Sequence, residues 1–252
     1  MKPMMIGAAI AALIATPALS ADLAVKAPTP LPPPVPVVSW TGCYANAGAG
    51  YGMFNQDHQT IVDALDQDQT TGGRGWLGLV GVGCDYQFST GAWGNWLVGV
   101  FGDYDFMDLK GNTSTFAGSF TGSEKESGAW AVGARLGYLV TPAILVYWNG
   151  GFTSTRFDGA NLTPTEVSSC CETASLASHT FDGGFIGGGT EIAVQAWPGL
   201  FWRSEYRYSS YRSADVQLSF DGVAAPGYVQ HESKNVQTIT SSLVWKFNWF
   251  GH

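Results

Sequence analysis

Eight stretches of alternating side chains, joined in turn by short turns and long polar connections, limit the fold of this chain more tightly than any other feature. They are WTGCYANAGAGYGMF (40–54), RGWLGLVGVGCDYQF (74–88), NWLVGVFGDYDFM (95–107), GAWAVGARLGYLV (128–140), AILVYWNGGFTSTRF (143–157), FDGGFIGGGTEIAV (181–194), GLFWRSEYRYSS (199–210) and VQTITSSLVWKFNW (236–249). Alternation at period 2 marks strands with two different faces. STGAWG, TP and QAWP join the second to the third, the fourth to the fifth and the sixth to the seventh, and all three are tight-turn material. The remaining connections, 55–73, 108–127, 158–180 and 211–235, are polar and about twenty residues or longer. A compact soluble domain seldom carries four such loops, whereas long loops at one end and short turns at the other build an up-and-down barrel in a membrane. Each stretch meets or approaches the roughly nine to eleven residues a tilted strand needs to cross, and after Trp40 no apolar run reaches the roughly eighteen a helix would need. The pattern predicts an all-β fold, an eight-stranded antiparallel up-and-down transmembrane β-barrel.

The faces say which side meets lipid. In the second stretch Trp76, Val80, Val82, Cys84, Tyr86 and Phe88 share one side against Gly81, Gly83, Asp85 and Gln87; the third and fourth repeat the division. An eight-strand lumen has little room for a continuous bulky face, but glycines opposite charges suit a narrow interior. In FWRSEYRY (201–208), Trp202, Tyr206 and Tyr208 therefore face lipid, and Arg203, Glu205 and Arg207 face inward. The predicted inward charges are Asp85, Asp103, Asp105, Glu191 and Glu205 against Arg135, Arg203, Arg207 and Lys246. An unpaired charge in a narrow lumen is costly, so these form a structural ion-pair network that plugs the barrel; the functional alternative is a selectivity lining or proton path.

Residues 1–20 begin with Lys2, carry an apolar run from Ile6 to Ala15 and end in Ala18-Leu19-Ser20, the marks of a cleaved signal peptide. Residues 21–39 hold six of the twelve prolines and read as a proline-rich periplasmic linker of polyproline II character, leaving 40–252 as the barrel. With 12 basic and 20 acidic residues the chain carries −8, and −9 once Lys2 is removed, which excludes nucleic acid as a partner.

ADL at the mature start, then WTGCYANAGAGYG, RGWLGLVGVGCDYQF, GARLGYLV, YWNGGF, GGGTEIA and SEYRY, in that order, resemble the small outer-membrane β-barrel proteins of Gram-negative alphaproteobacteria, the porin-family or surface-antigen barrels. The resemblance covers nearly all of the mature chain. It implies an abundant, monomeric component of the cell outer membrane that contacts outer-membrane lipid and lipopolysaccharide. It also implies assembly by the barrel-assembly machinery through a C-terminal aromatic, here Phe247 or Phe250. A few members bind heme or act as weak pores, so a narrow diffusion pore and a surface heme-binding barrel are the alternatives to a structural role. Cysteines at 43 and 84 depart from the large apolar residues usual there.

The histidines give no enzyme. His58, His179 and His231 fall in different loops, and His231-Glu232-Ser233 places no nucleophile, base and orienter together; the three histidines are the candidate heme or metal ligands, and no resident cofactor or metal is expected. Asp57, Asp63, Asp66 and Asp68, with Glu124, Glu126, Glu166 and Glu172, predict an acidic loop surface that keeps the exposed end hydrated, the alternative being divalent cations bridged to lipopolysaccharide. An exported chain permits disulfides. Cys43, near the start of the first strand, and Cys84, near the end of its antiparallel neighbour, fall opposite one another on the lipid-facing side and are expected to bond, the alternative being two reduced thiols packed against lipid. Cys170 and Cys171 form a vicinal bridge, pair between molecules or stay free.

Overall fold

The structure, a computed structural model, describes residues 38–62, 65–115, 119–165 and 173–247. The leader 1–20, the proline-rich stretch up to residue 37, Asp63, Glu166, Cys170, Cys171, Glu172 and Phe250 lie outside the described residues. Within them the chain is strand almost throughout: β1 (Gly42–Val62), β2 (Leu65–Ser89), β3 (Asn95–Thr115), β4 (Phe120–Thr141), β5 (Ile144–Asp158), β6 (Ala160–Pro164), β7 (Ala174–Leu176), β8 (His179–Ala193), β9 (Leu200–Tyr211), β10 (Ala214–Phe220) and β11 (Val223–Phe247).

The membrane portion is an antiparallel ring in the order β1-β2-β3-β4-β5-β8-β9-β11, closed by β11 pairing back onto β1. Trp76, Val82, Val100, Phe106, Trp130, Leu136, Ile186, Trp202 and Tyr206 stand on its outside, while Asp85, Arg135, Glu191, Arg203 and Lys246 are buried inside. An exposed apolar surface of this extent belongs against lipid rather than water. Inward glycines make the interior possible: a Cβ on Gly83 would come within 2.5 Å of the Tyr44 hydroxyl, and one on Gly99 would strike the Asp85 carboxylate.

The long connections are not the polar loops their composition suggests. β1, β2, β3, β4 and β11 run on past the membrane, and there β6, β7 and β10 take the places of β5, β8 and β9, with β6 on β4, β7 between β6 and β10, and β10 on β11. A second ring results, and its pattern is inverted. Phe54, Leu109, Phe120, Phe157, Leu162, Leu176, Phe181, Leu218 and Val236 point inward and form one buried cluster, each side chain contributing about 1.5–3 kcal/mol relative to exposure. Apolar faces out where the solvent is lipid and in where it is water.

The acidic-surface expectation is corrected at two positions. Glu124 and Glu126 share parity with outward Trp130, yet both are buried. The reason is a β-bulge: the β4–β5 register shifts between Glu126 and Gly128, and the extra residue turns the upper part of β4 over. Lys125 consequently points out.

Candidate functional site

The barrel waist gathers charges from six strands. Asp85 on β2 accepts from Arg135 Nε on β4 at 2.8 Å, pairs a second time through the Arg135 Nη2, and takes Lys246 Nζ on β11 at 2.9 Å. Glu191 on β8 receives Arg135 Nη1 at 3.0 Å, Arg203 Nη2 at 2.9 Å and Lys246 at 3.2 Å. One tier higher, Arg207 holds Asp103 with two bonds, 3.0 and 2.7 Å, and donates to Glu205 at 2.9 Å; Tyr147 donates its hydroxyl to the other Glu205 oxygen at 2.6 Å. Bidentate guanidinium–carboxylate pairs of this kind are the strongest and most geometrically demanding hydrogen bonds available to side chains. Asp105 lines the same cavity, which has a volume of about 20 Å³. That is room for about one water.

Both ends of this network are covered. Below it, the Trp40 ring lies 4.7 Å from the Phe201 ring and 4.7 Å under the Lys246 ammonium, and its indole nitrogen donates to the Pro142 carbonyl at 3.0 Å. Leu97, Leu139, Leu145 and Val244 complete an apolar floor. Above it, in the second ring, Lys234 is fully buried, 2.9 Å from Gln56 Oε1, 2.6 Å from Glu124 and 3.1 Å from Glu232, with its ammonium 3.7 Å from the centre of the Phe157 ring. Glu126 is buried alongside and accepts from Thr155 at 2.6 Å. Burial pushes the Glu126 carboxyl up to about 7 and raises that of Glu232 as well. Sequence reasoning missed this upper chamber and the Tyr44, Tyr147 and Trp40 framework of the waist. The one available signal was alternation of Gln230, Glu232, Lys234 and Val236 on a single parity leading into the last stretch.

The other candidates are scattered. Cys43 and Cys84 oppose one another in the β1–β2 register and are linked by a disulfide. His231 projects outward to Asp215, Nδ1 to Oδ1 2.7 Å, while the next residue, Glu232, is buried inside, because neighbours on a strand point to opposite faces. His179 meets the Phe181 ring edge to face, 4.9 Å away on the inner parity, and the side chain of His58 lies outside the described residues. His179 and His231 thus occupy opposite faces of the wall. The arrangement ties β2, β3, β4, β8, β9 and β11 to one another through buried guanidinium, ammonium and carboxylate groups.

Comparison with known proteins agrees with this architecture. A family model described as the outer membrane protein beta-barrel domain matches residues 7–247. The 31 kDa outer-membrane immunogenic protein of Brucella melitensis is 30% identical over 255 residues, covering 95% of this chain and 98% of that protein, and the protein of the same description from Brucella suis matches equally. Among solved structures, the outer membrane protein OprG of Pseudomonas aeruginosa is 11% identical with a TM-score of 0.49, over 82% of this chain and 97% of that one.

Proposed function

This chain belongs to the outer membrane protein β-barrel family and resides in the Gram-negative outer membrane, and from that premise we propose that it is a structural, non-conducting component of the envelope. The observation that carries this reading is the filled lumen: about 20 Å³ of free space at a waist where Arg207 on β9 pairs with Asp103 on the opposite wall and Lys246 reaches over β9 to Glu191. A hydrated ion needs a continuous path through side chains that can part. Here Arg135 is held by two carboxylates, and those carboxylates by Arg203 and Lys246, so opening the path would strand several buried charges at once. An apolar floor and an apolar roof on either side add two further barriers.

In this reading the chain acts as a monomer, catalyses nothing, and is delivered by a signal peptide at 1–20 with the proline-rich 21–39 as a periplasmic spacer. The test is single-channel recording of the purified protein in planar bilayers. No stepwise openings are expected. Stable openings whose size changes with Arg135→Ala or Glu191→Gln would overturn the plugged-barrel reading in favour of a narrow diffusion pore.

A further inference from the structure

The chain has twelve lysines and arginines. Arg135, Arg203, Arg207 and Lys246 are consumed at the waist, Lys234 is sealed in the upper chamber, and Lys2 and Lys26 precede the described residues. Five remain on the described surface. Four of them, Arg74, Lys110, Lys125 and Arg156, share one patch on the outer wall, and only Arg212, after β9, stands elsewhere. Register builds the patch: Arg74 on β2 pairs with Lys110 on β3, Lys110 with Lys125 on β4, and Arg156 follows on β5. Asp108 clamps two of the cations, 3.2 Å from Lys110 and 2.9 Å from Lys125, and Asp158 lies 4.0 Å from Arg156. Among the described side chains of this sector four cations stand against two carboxylates, on a chain of net charge −8. On β9 and β11 the outward side chains are neutral at this level: Tyr206 donates to Gln237 and Tyr208 to Asn235.

Depth gives the patch its meaning. Arg74 is two residues beyond Trp76, Lys110 four beyond Phe106, Lys125 five from Trp130 and Arg156 four beyond Phe152, all exposed aromatics of the outer girdle. At about 3.3 Å per residue and a tilt of about 40°, the cations stand roughly 5–13 Å past that girdle, at the level of lipid headgroups. Directly beyond them the same strands change character again. Asn112 and Ser114 on β3, Thr121 on β4 and Thr163 on β6 line a groove of about 520 Å³, with Ser114 opposite Thr121 and Thr121 opposite Thr163. Along one face, then, come aromatic and aliphatic groups, cations, and hydroxyls with an amide. Acyl chains, phosphates and sugars are ordered the same way in a phosphorylated glycolipid standing in an outer leaflet.

We infer that the β2–β5 face is a docking surface for a phosphorylated glycolipid of the outer leaflet, with its phosphates on Arg74, Lys110, Lys125 and Arg156 and its sugars in the hydroxyl groove. Guanidinium and ammonium groups bind phosphate with charge-assisted hydrogen bonds, and an inert lipid such as phosphatidylcholine offers no net charge to this row. The inference rests on the membrane placement of the barrel and adds a specific lipid class and site to it.

The experiment uses the full mature chain folded in dodecyl maltoside and native mass spectrometry with bisphosphorylated lipid A as the probe. The same lipid with its phosphates removed, and phosphatidylcholine, serve as comparison probes. Retention of the bisphosphorylated lipid is expected to exceed that of the dephosphorylated one by about tenfold or more, and to fall by as much in the variant carrying Arg74→Gln, Lys110→Gln, Lys125→Gln and Arg156→Gln, with Arg212→Gln unchanged. The smaller variant Arg74→Glu with Lys110→Glu, on exposed side chains, is expected to show the same loss; unboiled gel migration reports folding of both. Equal retention by the variants, equal retention of the dephosphorylated lipid, or displacement by millimolar inorganic phosphate alone would overturn the inference, the last by assigning the patch to a soluble anion. Recovery of the chain in the soluble periplasmic fraction would instead sink the membrane placement itself.

Discussion

Lys234→Met removes one charge from the upper chamber while keeping its volume, and the structure sets the expected cost. The lysine is fully buried and is shared by Glu124 and Glu232 at 2.6 and 3.1 Å, so the variant withdraws the cation from two buried carboxylates. Removing one partner of a buried ion pair costs about 3–5 kcal/mol. Methionine keeps the contact with the Phe157 and Phe181 rings, so little of that loss is packing. At about 1.4 kcal/mol per factor of ten, the open form of the chamber gains two to three orders of magnitude in population. The effect is local: Lys234 belongs to the second ring, whereas the waist has its own closed set of pairs. Amide hydrogen exchange reads it directly, with β10 and the upper part of β11 accelerating and β9 unchanged. Two further arms isolate the cause. Adding Glu124→Gln and Glu232→Gln is expected to restore most of the protection, because the stranded charges are then gone. Lowering the pH to about 5 is expected to shrink the single variant's defect, because burial already raises the Glu232 carboxyl and favours its protonation once the cation is gone. Unchanged exchange in the single variant, or a triple variant no better than the single, would refute the account of Lys234 as the counterion that holds the chamber shut.

The Glu126 carboxyl is raised to about 7 from an unfolded value near 4.5. The folded chamber therefore binds more protons between those values and loses stability as pH rises through them, by on the order of 3 kcal/mol. Glu126→Gln should flatten the pH dependence of loop protection from protease between about pH 5 and 8, and a slope that survives the substitution would contradict the assignment. The Cys43–Cys84 bond closes a sequence separation of 41, for which loop-closure entropy sets a contribution of about 4 kcal/mol; replacing both cysteines with serine should lower the urea midpoint in lipid vesicles, and reductant should do the same to the wild type only. Gly83→Val pushes a branched side chain against the Tyr44 hydroxyl and its waist partners, so the folded fraction seen on unboiled gels should drop sharply, and normal folding of this variant would show that the interior is looser than described.

How far the sequence could be read depended on which solvent a segment meets. Between the girdles, one rule of parity places every side chain, since lipid outside and a narrow lumen inside make opposite demands; Trp202 and Arg203 are distinguishable from the alternation alone. The number of strands in the ring was legible for the same reason, with short turns such as Thr141-Pro142 marking one end. Beyond the girdles the rule reverses. Leu162, Leu176, Val216 and Leu218 sit in segments whose average composition is polar, and their isolated apolar residues become a core only because the connections 108–127, 158–180 and 211–235 meet in space. No local window contains that information. Glu124 and Glu126 were unreadable for a different reason: one extra residue in β4 inverts their facing, and a bulge leaves no compositional mark. Partner choice within the waist was also out of reach, because Arg135 on β4 reaches over β3 to Asp85 and over β5 to Glu191, 50 and 56 residues away.

The exchange of β5, β8 and β9 for β6, β7 and β10 at the membrane edge makes the second ring depend on the medium around it. A core of phenylalanine, leucine and valine surrounded by polar outward faces is stable only in water, and its contributing segments come from three of the four connections, 108–127, 158–180 and 211–235, and from the strand ends beside them. The strands that satisfy lipid below must satisfy water above, so the chain itself marks the edge of the bilayer where its apolar side turns from outward to inward.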